Sequence, residues 1–214
     1  FSFCTDKIMS TGGEGGMLLV QDEAAWRRAW SYKDHGKDWS AVYERAHPPG
    51  FRWLHESVGT NWRLTEMQSA IGRLQLRKLP GWVADRRRNA AILADRLARF
   101  PALRVPMPTD DVAHAYYKFY AFVRPESLAA GWDRDAIVAG ISAQGVPCLH
   151  GGCSEIYLEK AFEDTGLRPS ERLPVARALG ETSLMFPVDP TLDPRDMERI
   201  AEVVEEVMEQ ATAS

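Results

Sequence analysis

The chain opens with two short apolar segments separated by a glycine-rich stretch. Residues 1–3 and 17–20 have the apolar character of strands, and residues 11–16 contain four glycines, which favour a tight turn. We therefore predict two neighbouring strands, the first of them buried. Asp22 then precedes residues 23–30, where apolar positions recur at helical spacing, so a helix is expected after the second strand.

Residues 31–59 follow no regular pattern and are rich in His, Pro, Gly and Trp. This segment is longer than most loops in compact domains, which indicates a functional or mobile loop. Thr65 and Gln68 then form a capping-box pattern, and apolar residues at helical spacing continue as far as Pro80. We predict one helix before Pro80 and a second long helix, residues 82–100, after this break.

The residues after Pro101 are typical of a second, smaller lobe. Aromatic and β-branched residues predict strands at 116–123, 146–149 and 182–188. A capped helix is expected at 133–144, and a final helix with an apolar stripe at 194–210.

Composition excludes several classes of function. The 214 residues include 26 Lys and Arg against 30 Asp and Glu, mixed along the chain, so no basic stripe offers a nucleic-acid site. The apolar runs are far shorter than the roughly 20 residues of a membrane helix, and no export leader opens the chain. Because the chain begins without Met, in what looks like the end of a strand, we expect further residues upstream.

Three cysteines, Cys4, Cys148 and Cys153, form no regular disulfide framework, which favours a reducing compartment and a cytoplasmic protein. Cys148, His150 and Cys153 are close in sequence, but a closed zinc site needs four ligands, so we expect no metal. The glycines of residues 12–16 match neither a P-loop nor a dinucleotide fingerprint, and no histidine lies in a recognisable nucleophile motif.

Lys7 stands out by its position. It follows the first predicted strand and precedes the glycine turn, which would place its amine at the carboxyl edge of a sheet. Open α/β sheets bind ligands at that edge. Taken alone, however, a lysine in this position is more often a solvated surface charge.

Several motifs occur in an order that resembles the DegT/DnrJ/EryC1/StrS sugar aminotransferases. These motifs are Phe1-Ser2-Phe3-x-x-x-Lys7, Gly13-Glu14-Gly15-Gly16, His35-Gly36, and residues 59–66 running into 70–76. Residues 116–123, 145–146 and 185–190 also look like the small domain of that family, so the resemblance covers essentially the whole chain. It implies an α/β fold of the aspartate aminotransferase type (fold type I). Residues 1–100 would then be the C-terminal part of the large cofactor-binding domain, and residues 101–214 the small α+β domain.

The resemblance implies an aminotransferase with pyridoxal 5′-phosphate (PLP) as its cofactor. The family usually transfers the amino group of glutamate to a nucleotide-linked keto sugar, for cell-surface polysaccharides such as lipopolysaccharide or for secondary metabolism. A homodimer with shared active sites is also implied. A non-catalytic or regulatory relative and an inactive fragment remain open alternatives. Lys7 argues against the related dehydratases, which have histidine in its place.

Within this resemblance, Lys7 matches the lysine that binds the cofactor covalently, and Ser2 matches a serine that contacts the cofactor phosphate. Asn61 or Arg63 matches the region that reaches the phosphate in the partner subunit's site. His35 and His150 are candidates for substrate contacts. Because desolvation disfavours the charged amine, a partly buried lysine can attack an aldehyde and later transfer a proton.

Two features depart from the family. The sequence lacks the N-terminal half, which should supply the groups that stack on the cofactor ring and pair with its pyridine nitrogen. Residues 31–59, with Trp39, Tyr43, Trp53 and His55, resemble only some members. These aromatic residues either shape a sugar-nucleotide pocket or pack the loop onto the dimer, and both roles remain open.

Overall fold

A computed structural model describes residues 1–213 of the chain. Its helices are α1 Glu23–Lys33, α2 Trp39–Tyr43, α3 Glu66–Leu97, α4 Arg134–Ala143, α5 Pro174–Thr182 and α6 Pro194–Thr212. Its strands are β1 Leu103–Arg104, β2 Phe119–Val123 and β3 Ser183–Phe186, with short 3-10 turns at Pro125–Ser127, Ile156–Leu158 and Lys160–Phe162. Within residues 1–213 we find no helix with the length and apolar character needed to cross a bilayer.

The chain divides into two compact units, Phe1–Leu79 and Pro80–Ser214. This boundary differs from the division expected at residue 100, and α3 contributes residues to both units. The assignment of residues 1–100 to a large domain and 101–214 to a small one stays a prediction.

In the first unit, backbone hydrogen bonds join the two predicted strand segments. An isolated antiparallel bridge pairs Ser2 with Gly16, and Phe3 N donates to Gly15 O at 2.8 Å. The segments are therefore neighbours, as predicted, although neither extends into a longer strand. Residues 4–14 form a loop that is closed at its base by these bonds.

The expected burial of the first segment is wrong for this chain. Phe1 is 81% exposed, and Met17, Leu18 and Leu19 are also exposed. Apolar strands become buried only when a second layer packs on them, and no described element of the first unit covers these residues. Among the described residues of the unit, Ala41 is the only apolar side chain that is fully buried.

Helix α1 begins where the sequence predicts, because the Asp22 carboxylate accepts a hydrogen bond from Ala25 N at 2.6 Å. The segment 31–59 is partly ordered by aromatic packing on this helix. The Trp39 ring centroid lies 4.7 Å from that of Trp26 and 5.1 Å from that of Trp30. At least this part of the aromatic segment therefore packs within the unit.

Helix α3 confirms one expectation and corrects another. Thr65 N donates to Gln68 Oε1, and Gln68 N donates to Thr65 Oγ1, both at 3.3 Å, which is the predicted capping box. The predicted break at Pro80 is wrong, since α3 continues through it to Leu97. A proline inside a helix costs about 3 kcal/mol, and burial of Leu93 and Leu97 in the core beyond it offsets that cost.

The second unit contains an antiparallel sheet of strand order β1-β2-β3. In β2, Phe119, Ala121 and Val123 are buried, which is the alternation of a strand with one face on the core. The strand predicted at 116–123 is confirmed only from Phe119. Tyr116 has φ of 47°, a left-handed conformation that a strand cannot include.

The helices of the second unit agree with the sequence pattern more closely than its short strands do. Helix α6 has a capping box at Asp193 and Asp196, and it buries the predicted apolar stripe, Met197, Ile200, Val203, Val204 and Val207. Helix α4 is capped by Asp133, as predicted. The expected strand at 146–149 is wrong, because this segment forms a single bridge, Leu149 with Met185.

The segment after His150 is held by a cluster of charged and polar side chains around Glu155. Tyr157 Oη donates to Glu155 Oε1 at 2.6 Å, Arg172 Nε donates to the same oxygen at 2.9 Å, and Arg172 Nη2 contacts Glu155 Oε2. The Arg172 hydrogen bond, helped by Tyr157, lowers the pKa of Glu155 to about 2.

Because folding lowers the pKa of Glu155, its carboxylate stabilises the fold above its usual pKa near 4.5, and that contribution is lost as the pH falls towards about 2. The Arg172→Gln variant should raise this pKa and shift the acid loosening of residues 150–173 to higher pH. Carboxyl NMR titration and hydrogen exchange measure both effects. Arg99→Gln, which removes an exposed pair with Asp95, is the control. An unchanged Glu155 titration in Arg172→Gln would contradict this interpretation.

Candidate active site

Lys7 lies in the loop that closes the strand pair of the first unit. Lys7 N donates to Cys4 O at 3.1 Å, and Thr11 N donates to Phe3 O at 3.2 Å, so both sides of the loop are tied to its base. The Lys7 side chain is 37% exposed, and its Nζ lies 3.6 Å from Asp6 Oδ2. The amine is therefore partly desolvated but still accessible.

Ser2 lies at the base of the same loop, five residues before Lys7. It is exposed, and its Oγ accepts a hydrogen bond from Cys4 N at 3.4 Å. Cys4 Sγ in turn donates to Asp6 Oδ1 at 2.6 Å. The loop thus places a hydroxyl, a thiol, a carboxylate and an amine within one short stretch of chain.

The glycines of the loop allow its close backbone packing. A Cβ on Gly15 would lie 2.7 Å from Thr11 Oγ1, and a Cβ on Gly16 would lie 2.9 Å from the carbonyl oxygen of Phe1. Larger residues at these positions would force the strand pair apart.

Thr11 is a residue that sequence reasoning missed. Its side chain is buried, and Thr11 Oγ1 has no hydrogen-bond partner among residues 1–213. A buried hydroxyl without a partner is destabilising by about 1–3 kcal/mol, so a ligand or water that bonded to it would be stabilised here. Nothing local in the sequence signals this, because the burial arises from residues distant in the chain.

His35, Asn61 and Arg63 are brought together in the first unit. A backbone bridge pairs Asp34 with Asn61, and His35 N donates to Thr60 O at 2.9 Å. Arg63 Nε then donates to Asn61 Oδ1 at 3.1 Å, and Arg63 Nη2 lies 3.4 Å from His35 Nε2. Three of the predicted site residues therefore form one cluster.

The turn that places His35 requires the glycine after it. His35 and Gly36 both have positive φ, 63° and 83°. A Cβ on Gly36 would collide with the carbonyl oxygen of Ser57, so another residue cannot be accommodated without moving the chain. The glycine of the His35-Gly36 motif is therefore needed for the backbone conformation of this turn, in addition to any role of the His35 side chain.

Asp34 is the second residue that sequence reasoning missed. Its carboxylate is largely buried, and it lies within 4 Å of three cations: Lys37 Nζ at 3.5 Å, Arg63 Nη1 at 3.6 Å and Lys33 Nζ at 3.9 Å. The two lysines are sequence neighbours, but the approach of Arg63 depends on the Asp34–Asn61 bridge. Only the fold shows this cluster.

A groove of about 790 Å³ also lies in the first unit. Its walls are largely apolar and aromatic, and Lys33, Arg63, Glu14 and Gln68 provide its polar groups. The main apolar contributors are Phe1, Met17, Leu18, Trp26, Trp30, Tyr32, Trp62 and Leu64.

His150 belongs to the second unit, whereas the other predicted site residues belong to the first. It is exposed, its Nε2 lies 3.3 Å from Asp135 Oδ1, and it lines a smaller cavity with Cys153 and Glu155. The neighbouring Cys148 is buried, and this burial raises the pKa of its thiol to about 12. Among residues 1–213, no group of three or more His, Cys, Asp or Glu side chains is arranged to hold a metal ion.

Comparison with known proteins identifies close relatives of the whole chain. A model of the DegT/DnrJ/EryC1/StrS aminotransferase family matches residues 1–205. The X-ray structure of an aminotransferase from Psychrobacter cryohalolentis is 51% identical, with a TM-score of 0.91, over 98% of this chain and 55% of that one.

Two curated relatives are more distant. The dTDP-3-amino-3,4,6-trideoxy-alpha-D-glucose transaminase of Streptomyces venezuelae is 28% identical over 98% of this chain and 50% of its own length. The erythromycin biosynthesis sensory transduction protein EryC1 of Saccharopolyspora erythraea is 29% identical over 90% of this chain and 47% of its own length. The chain therefore spans about half the length of the curated relatives that it matches.

The expected fold class is confirmed: the chain has the mixed α/β structure of the PLP-dependent transferases of fold type I. Its family and its structural neighbours are PLP-dependent aminotransferases. Because the family match extends over nearly every residue, this chain belongs to the DegT/DnrJ/EryC1/StrS aminotransferase family.

Proposed function

We propose that this chain carries the cofactor-binding lysine of a PLP-dependent aminotransferase that aminates a nucleotide-linked keto sugar, with glutamate as the amino donor. The observation that supports this proposal is the position of Lys7, whose partly exposed amine lies in a loop closed by hydrogen bonds between residues 1–3 and the segment that begins with Gly15 and Gly16. The names of the relatives, which include a sugar transaminase, support the substrate class.

The residues of this loop fit the cofactor. Lys7 supplies the primary amine that reacts with an aldehyde, and the exposed Ser2 hydroxyl is a donor suited to a phosphate oxygen. The Thr11 hydroxyl, which has no hydrogen-bond partner among residues 1–213, is a further polar group in this loop. When bound, PLP supplies the electron sink that stabilises negative charge on the substrate carbon.

Lys7 has two tasks in this proposal. With PLP bound, its Nζ would hold the cofactor covalently. Once a substrate amine had displaced it, the same Nζ would accept the proton from the substrate carbon and donate it to the cofactor carbon. The Lys7 backbone is fixed because its N–H donates to Cys4 O, whereas its four-carbon side chain is flexible. The amine can therefore move between the two tasks while the loop stays in place.

Asn61 and Arg63 are proposed to serve the active site of a second subunit. Both side chains are exposed and joined to each other, so their donors are available to a phosphate from outside the unit. His35 and His150 are proposed as substrate contacts, since both are exposed; His35 lies in a turn, and His150 follows the bridge residue Leu149. A homodimer would bring such groups from two chains together. A cytoplasmic location stays a prediction, since it rests on cysteine usage.

A regulatory role is the second candidate, because one relative, EryC1, is named as a sensory transduction protein. Such a protein could keep the fold without turnover. The Lys7→Ala variant distinguishes an aminotransferase from a regulatory protein, since only the aminotransferase requires Lys7 for transfer of an amino group.

In the intact enzyme, Lys7→Ala should abolish both the cofactor absorbance and turnover, because no other group replaces the covalent amine. Absorbance spectroscopy and an aminotransfer assay measure the two losses. Lys78→Ala, which removes an exposed lysine on α3, should retain both and serves as the control. A borohydride-reducible cofactor adduct that persists in Lys7→Ala would move the site to another lysine.

Mixing Lys7→Ala subunits with Arg63→Ala subunits should restore about one quarter of wild-type activity. Half of the randomly exchanged dimers are mixed, and each mixed dimer has one intact site out of two. Activity after proven subunit exchange is the measurement. A subunit with both substitutions, mixed with Lys7→Ala, should restore none. If the first mixture also stays inactive, Arg63 does not serve a shared site.

The pyridoxamine form of the intact enzyme should react faster with a nucleotide-linked 3-keto or 4-keto sugar than with simple 2-oxo acids other than the donor's own product. Aromatic rings and exposed histidines suit the apolar faces and hydroxyls of such sugars. Stopped-flow half-reactions over a substrate panel measure the preference. If a simple 2-oxo acid reacted faster than every keto sugar, the proposed sugar substrate would be wrong. The proposed PLP cofactor would not be affected.

A further inference from the structure

We propose that Asp34 is a positioning residue that holds the Arg63 guanidinium in place to bind an oxyanion, a phosphate or a carboxylate. The proposal rests on the function above, because it assigns Asp34 to the same site as Arg63. It adds a residue that the family motifs did not suggest and a ligand chemistry for the cluster around it.

The first observation is the burial of the Asp34 carboxylate. Its side chain is only 11% exposed, although an ionised carboxylate is strongly destabilised when it loses water without compensation. Lys37 Nζ and Arg63 Nη1 approach Oδ1 at 3.5 and 3.6 Å, and Lys33 Nζ approaches Oδ2 at 3.9 Å. These cations compensate the buried charge, and in turn the carboxylate holds them in one place.

The second observation is the way in which Arg63 is fixed. Its Nε donates to Asn61 Oδ1, its Nη1 faces Asp34, and its Nη2 faces His35 Nε2 at 3.4 Å. Arginine has only donors, so His35 Nε2 is the acceptor in this contact. Contacts on three nitrogens fix the plane of the guanidinium, although the side chain is 49% exposed.

The third observation is the charge balance of the cluster. One carboxylate is surrounded by three cations, so positive charge is in excess and attracts an anion. Arg63 and Lys33 both line the aromatic groove, where their remaining N–H groups can meet a ligand. Planar N–H groups of a fixed guanidinium bind two oxygens of a phosphate or carboxylate side by side.

Replacing Asp34 by Asn tests the role of the charge with little change of shape. The carboxylate no longer balances Lys33, Lys37 and Arg63, which then repel one another. We expect the exposed Arg63 side chain to leave its position, while the backbone bridge between Asp34 and Asn61 remains. The oxyanion should therefore bind more weakly in Asp34→Asn without loss of the fold.

Chemical modification of arginine by phenylglyoxal measures how accessible the Arg63 guanidinium is, and it does not require an active enzyme. Mass spectrometry gives the labelling rate of each arginine, and Arg45, equally exposed at 50% and paired with Glu56, is the internal reference. Asp34→Asn should raise the labelling rate of Arg63 about fivefold relative to Arg45. Inorganic phosphate should slow the labelling of Arg63 in the wild type and do so less in Asp34→Asn.

The matched control is Asp22→Asn, the same substitution at another carboxylate of the first unit. Asp22 caps α1 by accepting from Ala25 N at 2.6 Å, and Asn is an equally good cap. This variant should leave the labelling of Arg63 and its phosphate protection unchanged. Asp34→Glu, which retains the charge, should restore part of the protection that Asp34→Asn loses.

Binding measurements on the holoenzyme distinguish the sources of the oxyanion. If the cofactor phosphate is the ligand, Asp34→Asn weakens PLP but not pyridoxal, which has no phosphate. If a substrate group is the ligand, Asp34→Asn raises the KM of glutamate or of the nucleotide-linked sugar with little change in kcat. In either case, Asp34→Asn should add nothing in an Arg63→Ala background, because it acts through Arg63.

Any one of three results would overturn the proposal. The first is equal labelling of Arg63 in wild type and Asp34→Asn, and the second is no protection of Arg63 by phosphate in the wild type. The third is an additive effect of Asp34→Asn and Arg63→Ala on binding. A merely structural role would instead lower the melting temperature and change labelling at Arg45 as well. If the wild type never gains cofactor absorbance, the proposed function fails. The labelling result would still decide whether Asp34 positions Arg63.

Discussion

The hydrogen bonds between residues 1–3 and 15–17 are the constraint on which the first unit depends. They close the loop that contains Lys7, and they do so at a spacing that leaves no room for side chains at Gly15 and Gly16. The backbone of Lys7 is therefore fixed by hydrogen bonds within and at the base of its loop. This explains how a unit with so little buried apolar surface can still present a defined amine.

Local signals in the sequence predicted local structure well. The caps at Asp22, Asp133 and Thr65 depend on residues only three positions apart, so their pattern is visible without the fold. Expectations failed where distant residues decide. Pro80 is tolerated because burial in the core extends α3 beyond it, and residues 116–118 leave the strand where Arg86, about thirty positions earlier, donates to the carbonyl oxygens of Tyr116 and Tyr117.

The candidate site shows the same division. Lys7, Ser2, Asn61 and Arg63 were predicted because they belong to short motifs that resemble a family, and they stay predictions. Thr11 and Asp34 were missed, since the burial of the Thr11 hydroxyl and the approach of Arg63 to Asp34 depend on segments far apart in the chain. Motif reading therefore predicted the groups expected to touch ligands, and the fold was needed to find the groups behind them.

Pro80 has a consequence for the way in which the chain opens. A proline has no N–H, so the carbonyl of Leu76, one turn earlier, lacks its usual partner in α3. The boundary between the two compact units falls at this same turn, between Leu79 and Pro80. The helix is one backbone hydrogen bond short at this turn. We therefore expect its amides to exchange faster there than those near the buried Leu93 and Leu97.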